Sequence, residues 1–469
     1  MSTGETKTDL KWRIPLLFGT LLVATFFFVR KGPTPSKNLP AIHQETENAN
    51  TVPPAEQTTP ETKQTRIDSS FRDMESLPQD DSIMDRLLVA IRNWDKALIR
   101  TILDELLSLI TPEPIPDDQN AAVLYKKAFK ELDPPLIKVP EITRALWSTR
   151  PLSAEQEKLL HDYLEKNATA IDLIEEGSQR SGFNFGIDWR DLDDSEFHYE
   201  KTRVVDRLQR LIFMKLRLSE GTDAYRYAET LRRMGNVYSQ DPDIHSQYAR
   251  YHKLRVSSDA FQERWSQIGN RIGLLAETTS LETDMQRAIL GDIYQMTLLS
   301  VEKTSNTEIL RWDRPYSENS PNWANDLELL IVKYKEIYNL IPQPYHEIKD
   351  VIADMEIQRD ILPPFAVVTE YALPSISYFF QSRAKAQAIL DTQRIAVALE
   401  KHRTSKGNYP SSLAELEALV PGLTKDPFTG TPYRYRREGN GFLLYSVGMD
   451  GLDNGGLSKE SDIIFRVGE

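Results

Sequence analysis

The chain contains no cysteine. That excludes disulfides, thiolate nucleophiles, iron–sulfur clusters and cysteine-based zinc sites. Histidine is scarce, with 7 in 469 residues, so a metal site would have to draw mainly on oxygen. Basic residues are in deficit: 57 Lys+Arg stand against 70 Asp+Glu, for a net charge of −13. That balance is the wrong sign for a surface that tracks phosphate backbones, and no nucleic-acid partner is expected. The sequence also lacks G-x-S-x-G, a phosphate-binding Walker loop and a dinucleotide fingerprint. His346-Glu347 begins a zinc-protease motif, but Asp350 stands where its second histidine belongs. No reaction and no small-molecule substrate are expected.

Long apolar runs are absent too, with one exception. Residues 14–29 carry no charge and are apolar apart from Thr20 and Thr25. As a helix at about 1.5 Å per residue they span about 24 Å, and Trp12 and Arg30 extend that reach at the two interfaces. A cleaved signal peptide is the rival reading. It wants small residues at the end of the run, where Phe26, Phe27, Phe28, Val29 and Arg30 stand instead. Residues 1–31 therefore read as a cytoplasmic tail and a transmembrane anchor, with the remainder of the chain on the periplasmic side of the inner membrane. The mean hydropathy of −0.46 hides this segment.

Residues 32–81 are rich in Pro, Thr, Glu, Gln and Asn, and poor in large apolar side chains. Such a stretch cannot bury enough surface to offset its ordering entropy, and its prolines favour an extended tether. Residues 82–376 show helical periodicity and no long alternating strands, which predicts an all-α body. Ile83, Leu87, Ile91, Trp94, Leu98, Ile102, Leu106 and Ile110 fall on one helix face. Leu124, Ala128, Phe129 and Leu132 mark a second helix. Ser153 and Gln156 form a capping-box pair that opens a third, running through Leu159, Leu160 and Tyr163 to Ile174. Further helices are expected at about 199–218, 221–238, 244–272, 281–301, 322–338 and 345–359.

Within this body two groups invite a chemical reading. His245 and His252 lie seven apart, on one helix face. Asp191, Asp193, Asp194 and Glu196 form an acidic cluster that could hold a metal or work as acid and base. The plainer readings are surface histidines and a solvated, helix-capping loop. The tyrosines at 225, 227, 238, 248 and 251 read as packing surface.

The last part, 377–469, changes character. A helix to Lys406 ends at Gly407, followed by a short helix at 413–419. Residues 432–437 and 442–447 alternate as paired strands around the turn Glu438-Gly439-Asn440-Gly441, and 462–467 supply a third strand. Between the last two lies Gly448-Met449-Asp450-Gly451-Leu452-Asp453-Asn454-Gly455-Gly456. Glycines and carboxylates at this density make a loop that can turn tightly and offer oxygens to Ca²⁺. On chemistry alone, Asp453 and Asn454 are candidate ligands.

The order Gly407-Asn408-Tyr409-Pro410, Asp426-Pro427-Phe428, Pro432-Tyr433-Arg434-Tyr435, Leu444-Tyr445-Ser446-Val447-Gly448-Met449-Asp450-Gly451 and Asp462-Ile463 resembles the globular domain of the major, G-type pseudopilin of type II secretion. The likeness covers about 85 of the 469 residues. It implies a long helix on a three-stranded antiparallel sheet and a Ca²⁺-stabilised loop, with Asp450 and Asp462 at positions like the family's carboxylate ligands. The whole chain also resembles membrane-anchored helical proteins of planctomycete-type bacteria that end in the same module. Two features depart from a pseudopilin. Gly19-Thr20-Leu21-Leu22 lacks the glutamate of a prepilin-peptidase motif, and about 350 residues separate the anchor from the module.

The fold class expected is thus mainly α: a transmembrane helix, a disordered linker, an all-α body and a small α+β pseudopilin-like domain. The function expected is a non-enzymatic envelope protein whose body binds a protein partner, within a secretion or pilus-like assembly. A structural scaffold unrelated to secretion, or an enzyme using the 191–196 cluster, are the alternatives.

Overall fold

A computed structural model describes residues 83–134, 140–142, 152–190, 195–239, 241–269, 281–302, 323–419, 425–457 and 462–468, with the backbone alone for 195–200. The anchor at 14–29, the linker and the acidic residues 191–194 lie outside the described residues. Among the described residues no helix is long and apolar enough to cross a membrane.

The first helical stretch departs from its sequence pattern. It is two helices, α1 (Ile83–Arg92) and α2 (Lys96–Ile110). The break falls at Asn93-Trp94-Asp95, where Trp94 takes a φ of 48°. Asp95 then caps α2, its carboxylate accepting from the Ala97 and Leu98 amides at 3.1 and 3.0 Å. The break rotates the second helix, so Leu98 is 42% exposed while Ile99, Ile102, Leu103 and Leu106 are buried.

α3 (Ala121–Glu131) is capped by Asn120. The capping box at Ser153 and Gln156 opens α4 (Ala154–Lys166) as its spacing predicts. That helix then stops at Asn167, and α5 (Ala168–Ser178) begins anew. Asn167 is buried, and its amide donates to the Asp133 and Tyr163 carbonyls.

Then come α6 (Ser195–Arg217), α7 (Gly221–Met234), α8 (Ile244–Glu263), the one-turn α9 (Trp265–Ile268), α10 (Leu281–Glu302) and α11 (Trp323–Leu340). α12 (Tyr345–Asp360), the short α13 (Val367–Ala372) and the long α14 (Ile376–Lys406) complete the helices. Gly407, at φ 83°, ends α14 in the left-handed conformation.

α3, α5, α6 and α7 pack together, and α1, α2, α10 and α11 form a second group. α8 touches both groups and α14. Gly291 on α10 is where the Pro242 carbonyl, just before α8, comes to rest; a side chain there would collide with it. α8 buries polar groups as well as apolar ones: Ser246, Gln247, Arg250, Lys253, Ser257 and Ser258 lie inside. Its charges are matched. Arg250 meets Asp284 at 2.5 Å, and Lys253 meets Asp206 at 2.5 Å. Beside them buried Lys201 pairs with Asp241.

β1 (Arg434–Glu438), β2 (Gly441–Ser446) and β3 (Ile463–Val467) form an antiparallel sheet in that order. The sheet lies on α14, and residues 78–469 form one compact unit. The seam between body and sheet is specific. Gln262 of α8 pairs along the β3 edge, donating to the Ile464 carbonyl at 2.7 Å and accepting from the Arg466 amide at 3.3 Å. It occupies the edge as a further strand would. Trp265 meets Phe465 edge-on at 5.0 Å, and Tyr345 meets Phe428 at 5.5 Å.

Candidate functional site

Register decides what each face of the sheet holds. Tyr435, Leu444 and Phe465 share one face, directed at α14. Arg434, Arg436, Leu443, Tyr445, Ile464 and Arg466 share the other. On that outer face Leu443, Tyr445 and Val447 make a small core of their own, with Ile464 against it.

The glycine-rich loop after β2 folds back over this core. Gly456, at φ 67°, lies directly on it: a Cβ there would stand 2.9 Å from both Leu443 and Tyr445. Only glycine satisfies both the dihedral and the space. The base of the loop is held by Asp426, the first residue of the Asp-Pro-Phe segment. Its buried carboxylate accepts from Phe428 N at 2.9 Å and from Val447 N at 3.0 Å, tying the Asp-Pro-Phe turn to the end of β2. Burial pushes its pKa up despite those bonds.

The four candidate ligands have different surroundings. Asp450 accepts from the Leu452 amide at 3.0 Å, and Asn454 donates to its other oxygen at 3.2 Å. Asp453 is latched to the sheet. It accepts from the Tyr445 hydroxyl at 2.7 Å, from Arg434 at 3.0 Å and from the Gly455 amide at 3.0 Å. Those bonds, the Tyr445 hydroxyl foremost, hold its carboxyl below the usual range.

Asp462, at the start of β3, is the exception. It is 4% exposed, and among the described residues neither carboxylate oxygen has a hydrogen-bond partner. The Gly456 amide and the Asn454 side chain lie nearby and favour its charged form. Burial first, then the Asp450 carboxylate, raise its pKa, and Asp453 adds to this. A buried carboxylate left unbonded costs several kcal/mol unless a proton or a cation joins it.

Among the described residues no three acidic, histidine or cysteine side chains converge closely enough to hold a metal unaided. A cation at this loop would therefore use Asp450, Asp462 and Asn454 with main-chain carbonyls, which is the ordinary mixture for Ca²⁺. The residues fit a hard cation at Asp462, whose two oxygens are the ones without a bond.

The remaining candidates do not gather into a site. His245 and His252 both lie on the exposed side of α8. His346 packs against Gly430, while its backbone amide donates to the Pro427 carbonyl at 3.2 Å. It joins α12 to the Asp-Pro-Phe turn and has no place in a zinc motif. Among the five tyrosines, Tyr227 and Tyr238 are buried core. Comparison with known proteins gives no matching family model, no matching curated protein and no matching solved structure.

Proposed function

We propose that this chain is a single-pass, membrane-anchored protein of the cell envelope, without catalytic activity. Its helical body binds a protein partner on the periplasmic side, and its C-terminal module is a pseudopilin-like unit stabilised by Ca²⁺, within a secretion or pilus-like assembly. The anchor rests on the apolar run at 14–29, and the tether on the composition of 32–81. The pseudopilin likeness rests on the motif order from Gly407 to Asp462, and is in keeping with a long helix carrying a three-stranded antiparallel sheet.

The observation that carries the calcium reading is the unbonded carboxylate of Asp462 beside Asp450 and Asn454. A bound Ca²⁺ would supply the positive charge that these carboxylates lack. Asp450 and Asp462 would hold it, and Asn454 would lend its carbonyl oxygen.

The test has two signs. At a Ca²⁺ concentration a hundredfold above Kd, the folded state should gain about 2.7 kcal/mol, read as a higher unfolding midpoint that EGTA reverses. Asp462→Asn should abolish that gain. In EGTA the same substitution should stabilise the protein, because it removes a buried charge that nothing compensates. A melt indifferent to Ca²⁺ in the wild type, or a Ca²⁺ gain that survives Asp462→Asn, would end this reading.

A further inference from the structure

We propose that a basic band across α3, α6 and α8 is where an acidic stretch of a protein partner docks. The inference rests on the reading that the helical body binds a protein, and gives that surface a place and a chemistry.

The chain as a whole carries −13, yet Arg203, Arg207 and Arg210 follow one another along one side of α6 at i, i+4 and i+7. Arg203 and Arg207 both lie against the ring of Phe129 from α3, their guanidinium carbons 5.6 and 5.4 Å from its centre. Among the described residues neither has a carboxylate partner. Arg207 is partly desolvated, and burial first, then Arg203, draw its pKa down; Asp206 and Tyr163 act against this, and Arg210 with it. The band continues onto α8, where Arg255 and Arg210 both act on His252. Its acidic content is small. Asp206 is shared between Arg210 at 2.8 Å and Lys253 at 2.5 Å, and Asp259 lies at the Tyr251 edge.

Like charges at i and i+4 repel, so this spacing works against the helix that carries it. The ring compensates in part as a cation–π partner. A contact with the π face does not use a guanidinium's in-plane N–H donors. Those donors are the fork that grips a carboxylate with two parallel bonds. The spacing suits a polypeptide. Arg203 and Arg207 are separated by about 6 Å along the helix axis, and alternate residues of an extended chain lie about 7 Å apart. An acidic segment with carboxylates on every second residue would meet both guanidiniums in turn.

The probe is a fluorescein-labelled peptide of alternating Glu and Ser, titrated by anisotropy into the full chain in detergent. Binding should weaken steeply between low and high salt. Arg203→Glu with Arg207→Glu should weaken it at least about tenfold at low salt. Arg203→Lys with Arg207→Lys, which keeps charge and fold but loses the fork, should fall between the two. No binding by the wild type, or equal binding by all three, overturns the proposal. So does displacement of the peptide by vesicles containing phosphatidylglycerol at a lipid level where phosphatidylcholine vesicles leave it bound, since the band would then be reading lipid. Whether the body has a protein partner is measured separately, by photo-crosslinkers at Val351 and Ile357, both exposed on α12, a helix that is not part of the band. Adducts there with a silent band would retire the band alone; none there and none at the band would retire the partner.

Discussion

Two parts of this molecule bury charge in opposite ways. Around α8 the buried charges close on one another: Arg250 with Asp284, Lys253 with Asp206, Lys201 with Asp241. At the C-terminal loop Asp462 is buried, and among the described residues both its oxygens are unbonded. The first arrangement pairs opposite charges and serves to fix how helices sit. The second sets a carboxylate beside other carboxylates, and its deficit is one of positive charge. Burial alone therefore does not mark a site; burial of like charges together does. The contrast can be tested by opening a closed pair, by titrating a half-buried acid of the body, and by loosening the latch beside Asp462.

The largest effect should come from opening a pair. Arg250→Met leaves Asp284 buried, with the Arg287 guanidinium 3.9 Å away. A loss of about 3–5 kcal/mol is expected in denaturant unfolding. The double substitution Arg250→Met with Asp284→Leu removes both charges and should recover most of it. If the double variant is as unstable as the single, the pair is held for its packing, and the contrast with Asp462 collapses.

A half-buried acid with no cation beside it among the described residues tests the other side within the body itself. Asp292 of α10 is closed in by α8 and α11. Burial, then the Asp243 carboxylate, push its pKa to about 8, against the Ile244 amide at 3.4 Å and the Tyr334 hydroxyl at 3.3 Å. The Tyr334 hydroxyl also bonds the Ala372 carbonyl at 3.0 Å, and its single proton cannot serve both acceptors. A protonated Asp292 donates to Tyr334 and satisfies the set. Between about pH 4 and pH 8 the folded chain thus holds a proton that the unfolded chain has released. Stability from this group falls as pH rises through that window, by about 1.4 kcal/mol per unit, and levels off above it. Asp292→Asn should flatten the slope. An unchanged slope would place the titrating group elsewhere.

How much of this was legible depended on whether the signal is local. The capping box at Ser153 and Gln156, the stop at Gly407 and the three strands are set by neighbours in sequence, and each stands where its residues predict. The break at Asn93–Asp95 was not legible, because the apolar spacing runs straight through it. What decides it is that Asp95 caps a new helix. α8 misleads any apolar count, since its buried side carries Arg250 and Lys253 whose partners come from α10 and α6. Gln262 as the neighbour of β3 is a contact across about 200 residues that no spacing announces. In the loop the residue types were readable, but the difference between Asp453 and Asp462 was not. It arises from Tyr445 and Arg434, which reach one carboxylate through the sheet register and leave the other alone.

That register gives the smallest effect and the finest test. Tyr445→Phe removes the hydroxyl that holds Asp453 at 2.7 Å. The Gly455 amide and Arg434 remain, and Asp453 can rehydrate, so the ion-free protein should lose only about 0.5–1 kcal/mol. The Asp453 carboxyl resonance should titrate at higher pH in the variant, since its strongest stabilising bond is gone. The response to Ca²⁺ then separates two versions of the site. If Asp453 is drawn onto the cation, the latch competes with the ion, and releasing it enlarges the Ca²⁺-dependent shift of the unfolding midpoint. That enlargement is the expected result. A shift equal to the wild type's would confine the ligands to Asp450, Asp462 and Asn454, and would make the Tyr445–Asp453–Arg434 set a structural clasp that holds the loop over the Leu443 face whether or not an ion is bound.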